Sequence, residues 1–176
     1  GEAVFEKAKE LAEKGCSTDR SRLTLEAIKA FADEVELASV RDIYERQIRY
    51  NMDIAYEGIS GDYGIGIGRV IRGSYADGVV TRMKAFAAAA SEARMGGCDM
   101  PVIINSGSGN QGITVSVPVI VYAKALKVSE EKLYRALALS NLAAIHQKTP
   151  IGRLSAYCGA VNAGAGAGAG IAYLCG

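Results

Sequence analysis

The sequence contains no tryptophan, one histidine, three prolines and four cysteines. The cysteines are Cys16, Cys98, Cys158 and Cys175, and the histidine is His146. No two cysteines form a C-x-x-C pair, so a closed zinc site has no support from their spacing. The chain does not open with a basic and then apolar signal segment, and we therefore expect reduced thiols and a cytoplasmic location.

The sequence also has almost no excess of positive over negative charge, since it contains 20 basic and 19 acidic residues and its formal net charge is +1. Without a cluster of Lys and Arg, neither a nucleic-acid partner nor an anionic membrane surface is expected. The remaining composition, with 49% hydrophobic and 22% charged residues, is ordinary for a globular protein. A length of 176 residues suits one domain.

The two ends of the chain are unusual for natural termini. The chain begins at Gly1, and the last 23 residues, Leu154 to Gly176, carry no charge. Because natural termini are usually polar and exposed, we expect residues 1–176 to be a single domain truncated from a longer protein.

Helical periodicity and capping residues dominate the chain. The segment Ile113 to Leu126 is β-branched and apolar, which leaves a strand and a buried helix open. Residues 58–73 hold six glycines and are predicted to be an ordered loop. With at least six helices and little or no strand, the fold class is predicted to be all-α. The helical patterns cover residues 3–14, the segment after Thr24, residues 40–55, residues 76–95 and the segment after Ser129.

Alanine and glycine alternate between Ala163 and Gly170 near the end of the chain. A silk-like strand and a membrane helix are both open to such a segment, but Ala and Gly drive membrane insertion only weakly. We predict a buried central helix over residues 156–174. The glycine pairs Gly164/Gly168 and Gly166/Gly170 are each four residues apart and would form grooves for close contact with a neighbouring helix. Each glycine costs about 1 kcal/mol against alanine in a helix, a cost that only tight packing or a nearby site would offset.

The richest motif is a glycine loop with neutral polar side chains. Gly107 to Gly112 fits G-x-G-x-x-G and follows an apolar segment, Pro101 to Ile104. Dinucleotide binding would need a ribose-binding carboxylate after a second strand, but Glu130 and Glu131 begin a helix, and Pro118 interrupts the helix that would receive the pyrophosphate. A purely structural turn is also open. We prefer a substrate loop whose backbone N–H groups suit a carboxylate, with Arg94 or Arg153 as its counter-ion. The loop residues are Asn105, Ser106, Gly107, Ser108, Gly109, Asn110 and Gln111.

The sequence around Cys158 and around His146 does not by itself indicate a catalytic or metal-binding role for either residue. A buried cysteine is most often a small apolar residue, and the single histidine is best interpreted as structural. Cys175 lies 17 residues beyond Cys158, or about 25 Å along a continuous helix, so the two cannot share one metal site.

Three ordered motifs are similar to those of a known family, the serine dehydratase α-chain family, in its branch with the L-cysteine desulfidases. They are Ser91-Glu-Ala-Arg-Met-Gly-Gly97, Asn105-Ser-Gly-Ser-Gly-Asn-Gln-Gly-Ile113 and Arg153-Leu-Ser-Ala-Tyr-Cys158. Gly58-Ile-Ser-Gly61 matches as well, so the resemblance covers roughly residues 20–176.

The resemblance implies a [4Fe–4S] lyase that eliminates the β-substituent of serine or cysteine and gives pyruvate, ammonia and, from cysteine, sulfide. By this resemblance Cys158 matches the first cluster ligand, and two further cysteines would follow Gly176. The family's base, a cysteine in an early Gly-Cys-Thr-Glu-Pro segment, is missing, and Cys16 lies too close to the other motifs to replace it. The isolated chain is thus expected to hold no cluster and to be inactive, and its catalytic base is unassigned.

Two other functions stay open at the level of sequence. One is a non-enzymatic domain that binds a small amino acid or serves assembly, and the weaker one is a dinucleotide-dependent oxidoreductase. In the preferred function the partner is a small amino-acid substrate, with no nucleic acid and no membrane, and a homo-oligomer is left open.

Overall fold

The structure is a computed structural model that describes residues 19–151 and 158–176. None of these residues belongs to a strand, and Asn105 and Ser108 form an isolated bridge. The prediction of a single all-α domain is confirmed. After a short 3-10 turn, Arg20–Arg22, the helices of the described residues are α1 (Leu25–Glu34), α2 (Leu37–Ser60), α3 (Ile67–Ser74), α4 (Val79–Met95), α5 (Gly109–Leu126), α6 (Glu130–Lys148) and α7 (Gly159–Cys175).

Hydroxyl side chains begin three of these helices. Thr24 Oγ1 accepts a hydrogen bond from Ala27 N at 3.1 Å, and Ser129 Oγ accepts one from Lys132 N at 3.2 Å. Each bond satisfies an N–H group that the first helical turn leaves without an intrahelical partner. The predicted starts of α1 and α6 are therefore confirmed. The predicted helix over residues 3–14 lies outside the described residues.

The β-branched segment before Leu126 forms a helix rather than a strand. Helix α5 contacts α2, α4, α6 and α7 and is the most enclosed helix of the fold. Burial on nearly every side overrides the local preference of valine and isoleucine for strands. Pro118 lies inside α5, where a proline removes one backbone hydrogen bond. The central helix is thus α5.

The prediction of a helix near the end of the chain is confirmed, with α7 beginning at Gly159. The prediction that it is packed on all sides holds for one face only. A Cβ added at Gly166 would lie 2.6 Å from Ser140 O, and one added at Gly170 would lie 2.9 Å from Ala136 O, so this pair lets α6 approach closely. Gly164 and Gly168 are exposed with no atom in reach, and the groove predicted for that pair is wrong.

The loop predicted over residues 58–73 is wrong over most of its length, because α2 runs to Ser60 and α3 begins at Ile67. Glycine is tolerated in these helices because they lie close to α4: a Cβ at Gly58 would clash with the carbonyl group of Ala89. The short turn between α2 and α3 is held by the carboxylate of Glu92, which accepts hydrogen bonds from the backbone N–H groups of Ile65 and Ile67.

Helix lengths and hydropathy bear on the membrane alternative for α7. Among the described residues, no helix combines the length and the apolar character needed to cross a membrane.

Candidate functional site

The glycine loop is a tight turn that leads directly into α5. Asn105 and Ser108 exchange two backbone hydrogen bonds of 3.1 and 3.0 Å. The two residues between them have positive φ, 50° at Ser106 and 81° at Gly107, as in the two-residue turns of hairpins. Ser108 then caps α5, with its Oγ accepting from Gln111 N at 3.4 Å. The loop is therefore an ordered turn that fixes the start of the central helix.

The described residues give no support to dinucleotide binding at this loop. The apolar segment from Pro101 to Ile104, which would have to be a strand, has no regular structure. The strand–turn–helix context that the motif requires is absent from residues 19–151 and 158–176.

Asn105 is buried and holds the turn to the rest of the domain. Its amide donates to Asn141 O at 3.2 Å and to Asn141 Oδ1 at 3.0 Å, and its Oδ1 accepts from Ser106 Oγ at 3.0 Å. Asn141 is fixed in turn by two reciprocal amide bonds with Gln47 on α2. With its amide groups engaged in this way, Asn105 positions the loop.

Asn51, which the sequence analysis missed, anchors the other side of the loop. It is fully buried, accepts from Ile103 N at 2.8 Å, and donates to Gly112 O at 3.1 Å and to Ser116 Oγ at 2.8 Å. A polar residue on the apolar face of α2 was the available signal. Gly112 is glycine because a Cβ there would clash with the carbonyl oxygen of Ile103.

Arg94 lies against the first turn of α5. Its guanidinium donates to Asn110 Oδ1 at 3.2 Å, and its Cζ lies 2.8 Å from the position that a Cβ would take at Gly109. Arg94 is exposed, so the rest of its guanidinium group faces solvent beside the loop. Arg153, the other proposed counter-ion, lies outside the described residues.

Cys158 is the residue before α7 and is exposed. Its carbonyl accepts from Val161 N at 3.1 Å, whereas its thiol makes no cap bond. The described part of the chain contains no group of three His, Cys, Asp or Glu side chains that could hold a metal ion. Cys175 is at the far end of α7, and Cys16 lies outside the described residues.

Cys98 lies in a different environment from Cys158. It packs half-buried against the core. A hydrogen bond with Cys98, followed in effect by one with Glu57, raises the pKa of the Tyr63 hydroxyl. Cys98 therefore belongs to the packing between α2 and α4 and is not a candidate ligand beside Cys158.

The N-termini of α5 and α7 meet at Gln111. Its side chain lies so close to Gly159 that a Cβ there would be 2.8 Å from Gln111 Cγ and nearer still to the amide group. The structure thus brings the glycine loop beside Cys158, although the two are far apart in sequence. Both helices direct the positive end of their dipole and free N–H groups toward this junction, which favours an anionic ligand group.

Two buried amide atoms near this junction have no hydrogen-bond partner among the described residues: Gln111 Oε1 and Asn162 Nδ2. Buried polar atoms are nearly always hydrogen-bonded, so an unpartnered pair of this kind calls for a ligand or ordered water. Gln111 was among the predicted loop residues, whereas Asn162 was missed because it lies inside the Ala/Gly segment.

Comparison with known proteins identifies this chain's relatives. The serine dehydratase alpha chain family matches residues 4–176. A UPF0597 protein of Desulfitobacterium hafniense is 57% identical over 157 residues, which cover 89% of this chain and 36% of that protein. A UPF0597 protein of Lachnoclostridium phytofermentans is 58% identical over 160 residues, covering 91% of this chain and 38% of that protein.

A third relative extends the match along the chain. A UPF0597 protein of Treponema denticola is 51% identical over 179 aligned residues, which cover 98% of this chain and 42% of that protein. The chain therefore spans well under half the length of these curated relatives. No solved structure matches.

Proposed function

This chain belongs to the serine dehydratase alpha chain family, and we propose that it acts within a longer protein as part of an iron–sulfur lyase. The proposed reaction removes the β-substituent of L-serine or L-cysteine and yields pyruvate and ammonia, with sulfide from cysteine. The observation that carries the proposal is the meeting of two helix N-termini, which brings Gly159, the residue after the exposed Cys158, against Gln111 of the glycine loop.

The described residues provide only part of the ligand set that an iron–sulfur cluster needs. Cysteine thiolates are the usual ligands of such clusters, and the thiol of Cys158 is exposed and free of capping duties. The part of the chain that the structure describes holds no group of three His, Cys, Asp or Glu side chains that could complete a metal site. We propose that Cys158 supplies one thiolate and that the longer protein supplies the others. When bound, such a cluster would supply a Lewis-acidic iron for the departing group.

The chain's own residues would bind and orient the substrate. The N-termini of α5 and α7 provide N–H groups and partial positive charge where the substrate carboxylate is proposed to lie. Arg94 stands at the exposed side of the loop, where its guanidinium would attract that carboxylate. The ordered turn at Ser106 and Gly107, held through Asn105, keeps this surface rigid. A base must also remove the α-proton, and we assign it to no residue of this chain.

The test uses the full-length protein purified without oxygen. The proposal predicts a brown protein that forms pyruvate from L-cysteine or L-serine, whereas the 176-residue chain alone is expected to bind no cluster. Cys158→Ala should remove both the colour and the activity. Cys175→Ala, a matched change at the opposite end of α7, should keep them.

Two outcomes would contradict the proposal. A colourless full-length protein that binds an amino acid without converting it would favour the non-enzymatic binding domain. Colour retained in Cys158→Ala would show that the ligand assignment is wrong, even if pyruvate is formed.

A further inference from the structure

One face of α7 is exposed to solvent from end to end and carries no charge. A helix face that meets water is expected to hold charged and polar side chains. Here the exposed side consists of alanine, glycine, valine and cysteine, and it extends over about 25 Å at 1.5 Å per residue. Continuous apolar surface of this kind marks an interaction site. The exposed face of α7, with the residue before it, comprises Cys158, Val161, Gly164, Ala165, Gly168, Ala172 and Cys175.

The exposed residues follow the spacing of a helix–helix contact. With Gly164 set aside, successive members from Cys158 to Cys175 are 3, 4, 3, 4 and 3 residues apart. Residues repeated at intervals of three and four form the seam on which a second helix packs at a shallow angle. The spacing therefore indicates a helix as the partner of this face.

Two glycines of the exposed face have no contact that accounts for them. A Cβ added at Gly164 or Gly168 would meet nothing within 4 Å, although glycine makes a helix less stable than alanine does. On the opposite face Gly166 and Gly170, also four residues apart, allow α6 to approach closely. A close neighbour on the exposed face would give Gly164 and Gly168 the same purpose.

The described residues leave this face open, and the longer protein has enough chain to cover it. Helices α5 and α6 pack on the other side of α7, and no helix in the ranges 19–151 and 158–176 covers its exposed face. The chain spans well under half the length of its curated relatives. A segment of the same polypeptide is held near the face at an effective concentration on the order of millimolar, an advantage that a second copy lacks.

We propose that the exposed face of α7 is an internal interface of the longer protein, covered by a helix from outside residues 1–176. The covering helix presents apolar side chains, because the uncharged α7 offers no partner to a charge buried against it. It approaches most closely at Gly164 and Gly168, and it reaches the end of α7 that carries Cys158. This assignment goes beyond the proposed function and does not depend on the reaction.

The experiment measures thiol reactivity in the full-length protein under native conditions. Ala165→Cys places a thiol in the middle of the exposed face. Ala30→Cys is the matched control on α1, where Ala30 is exposed between the charged residues Glu26 and Glu34. Each protein is treated with a maleimide, and mass spectrometry of its peptides gives the rate of modification at each site. The same reaction in urea gives the rate for the unfolded chain.

The expected result is selective protection. The thiol of Ala165→Cys should react at least about tenfold more slowly in the native protein than in urea, because only local opening would expose it. The thiol of Ala30→Cys should react at similar rates in both. The native Cys175, at the last position of the same face, should also be protected, and it decides the case if Ala165→Cys does not fold. Native Ala165→Cys and Ala30→Cys reacting equally fast would overturn the proposal.

A photoreactive phenylalanine derivative at Val161, which is 70% exposed, identifies the occupant. After irradiation of the full-length protein, the cross-linked peptides are mapped by mass spectrometry. A cross-link within one chain to a peptide outside residues 1–176 supports the proposal. A cross-link to residues 1–18 would overturn it, as would cross-linked dimers together with protection that is lost on dilution, which would assign the face to a second copy. Neither colour nor pyruvate is measured, so failure of the lyase proposal leaves this test unaffected.

Discussion

Four glycines of α7 allow the close packing of α6 and α7 to be tested with matched single substitutions. At Gly164 and Gly168 an added Cβ meets nothing within 4 Å, so alanine should stabilise the helix by about 1 kcal/mol at each position. At Gly166 the same Cβ would lie 2.6 Å from Ser140 O and 2.9 Å from Ala144 Cβ. Contacts this short force α6 and α7 apart, and overpacking of this kind costs about 1–3 kcal/mol.

The cost at Gly166 should exceed the gain in helix propensity. Ser140 has little freedom to move away, because its Oγ donates to Val115 O at 2.7 Å on the central helix. We therefore expect Gly166→Ala to lie about 2 kcal/mol or more below Gly164→Ala in free energy of unfolding.

Urea unfolding of the 176-residue chain, followed by far-ultraviolet circular dichroism, measures this difference directly. Gly168→Ala is a second exposed control and should behave like Gly164→Ala, whereas Gly170→Ala should follow Gly166→Ala because its Cβ would lie 2.9 Å from Ala136 O. Equal stabilisation by alanine at Gly164 and Gly166 would refute the close approach of α6 and α7.

Four further substitutions test the loop, its rim, the proposed ligand and the core. Asn51→Leu leaves Ile103 N without its buried partner and should lower the free energy of unfolding by about 3 kcal/mol, measured in urea; a loss below about 1 kcal/mol would contradict the anchoring role. Cys158→Ser should leave the stability of the chain unchanged or raise it by up to about 1 kcal/mol, because serine is a favoured N-cap, while the full-length protein loses its colour. Arg94→Lys removes the planar fork and should raise KM for the amino acid several-fold with little change in kcat; an unchanged KM would place Arg94 outside the substrate path. Burial raises the pKa of Tyr44 to about 12, above the value of about 10 expected in the unfolded chain, so stability should fall as pH rises from about 10 to about 12, and Tyr44→Phe should fall less steeply.

Local signals in the sequence were reliable where the physics is local. Thr24 and Ser129 were predicted to begin helices and do so, because a cap depends on a hydroxyl and the N–H groups of the next turn. The loop from Asn105 to Gln111 was chosen for its glycines and amides, and the turn at Ser106 and Gly107 follows from that chemistry. The substrate role of these residues remains a prediction.

Sequence reasoning failed where a distant element decides the outcome. Glycines between Gly58 and Gly73 suggested a loop, but Gly58 and Gly68 are helical because α4 passes close to them. Likewise, the β-branched residues before Leu126 left strand and helix open until burial on several sides resolved them. The intrinsic helix and strand propensities of single residues are small compared with the free energy gained by packing a whole helix face.

The helical class, the caps, the polar loop and the family resemblance through Cys158 could be predicted from residue patterns, since each depends on residues near one another in the chain. The folded chain was needed to show that α7 buries Gly166 and Gly170 but exposes Gly164 and Gly168, and that Gln111 meets Gly159. Asn162 is also buried, inside a segment of alanine and glycine, which no spacing along the chain indicates. The physical reason is that close contact between helices depends on which face each one turns to its neighbour, and that choice is made by the burial of the whole core.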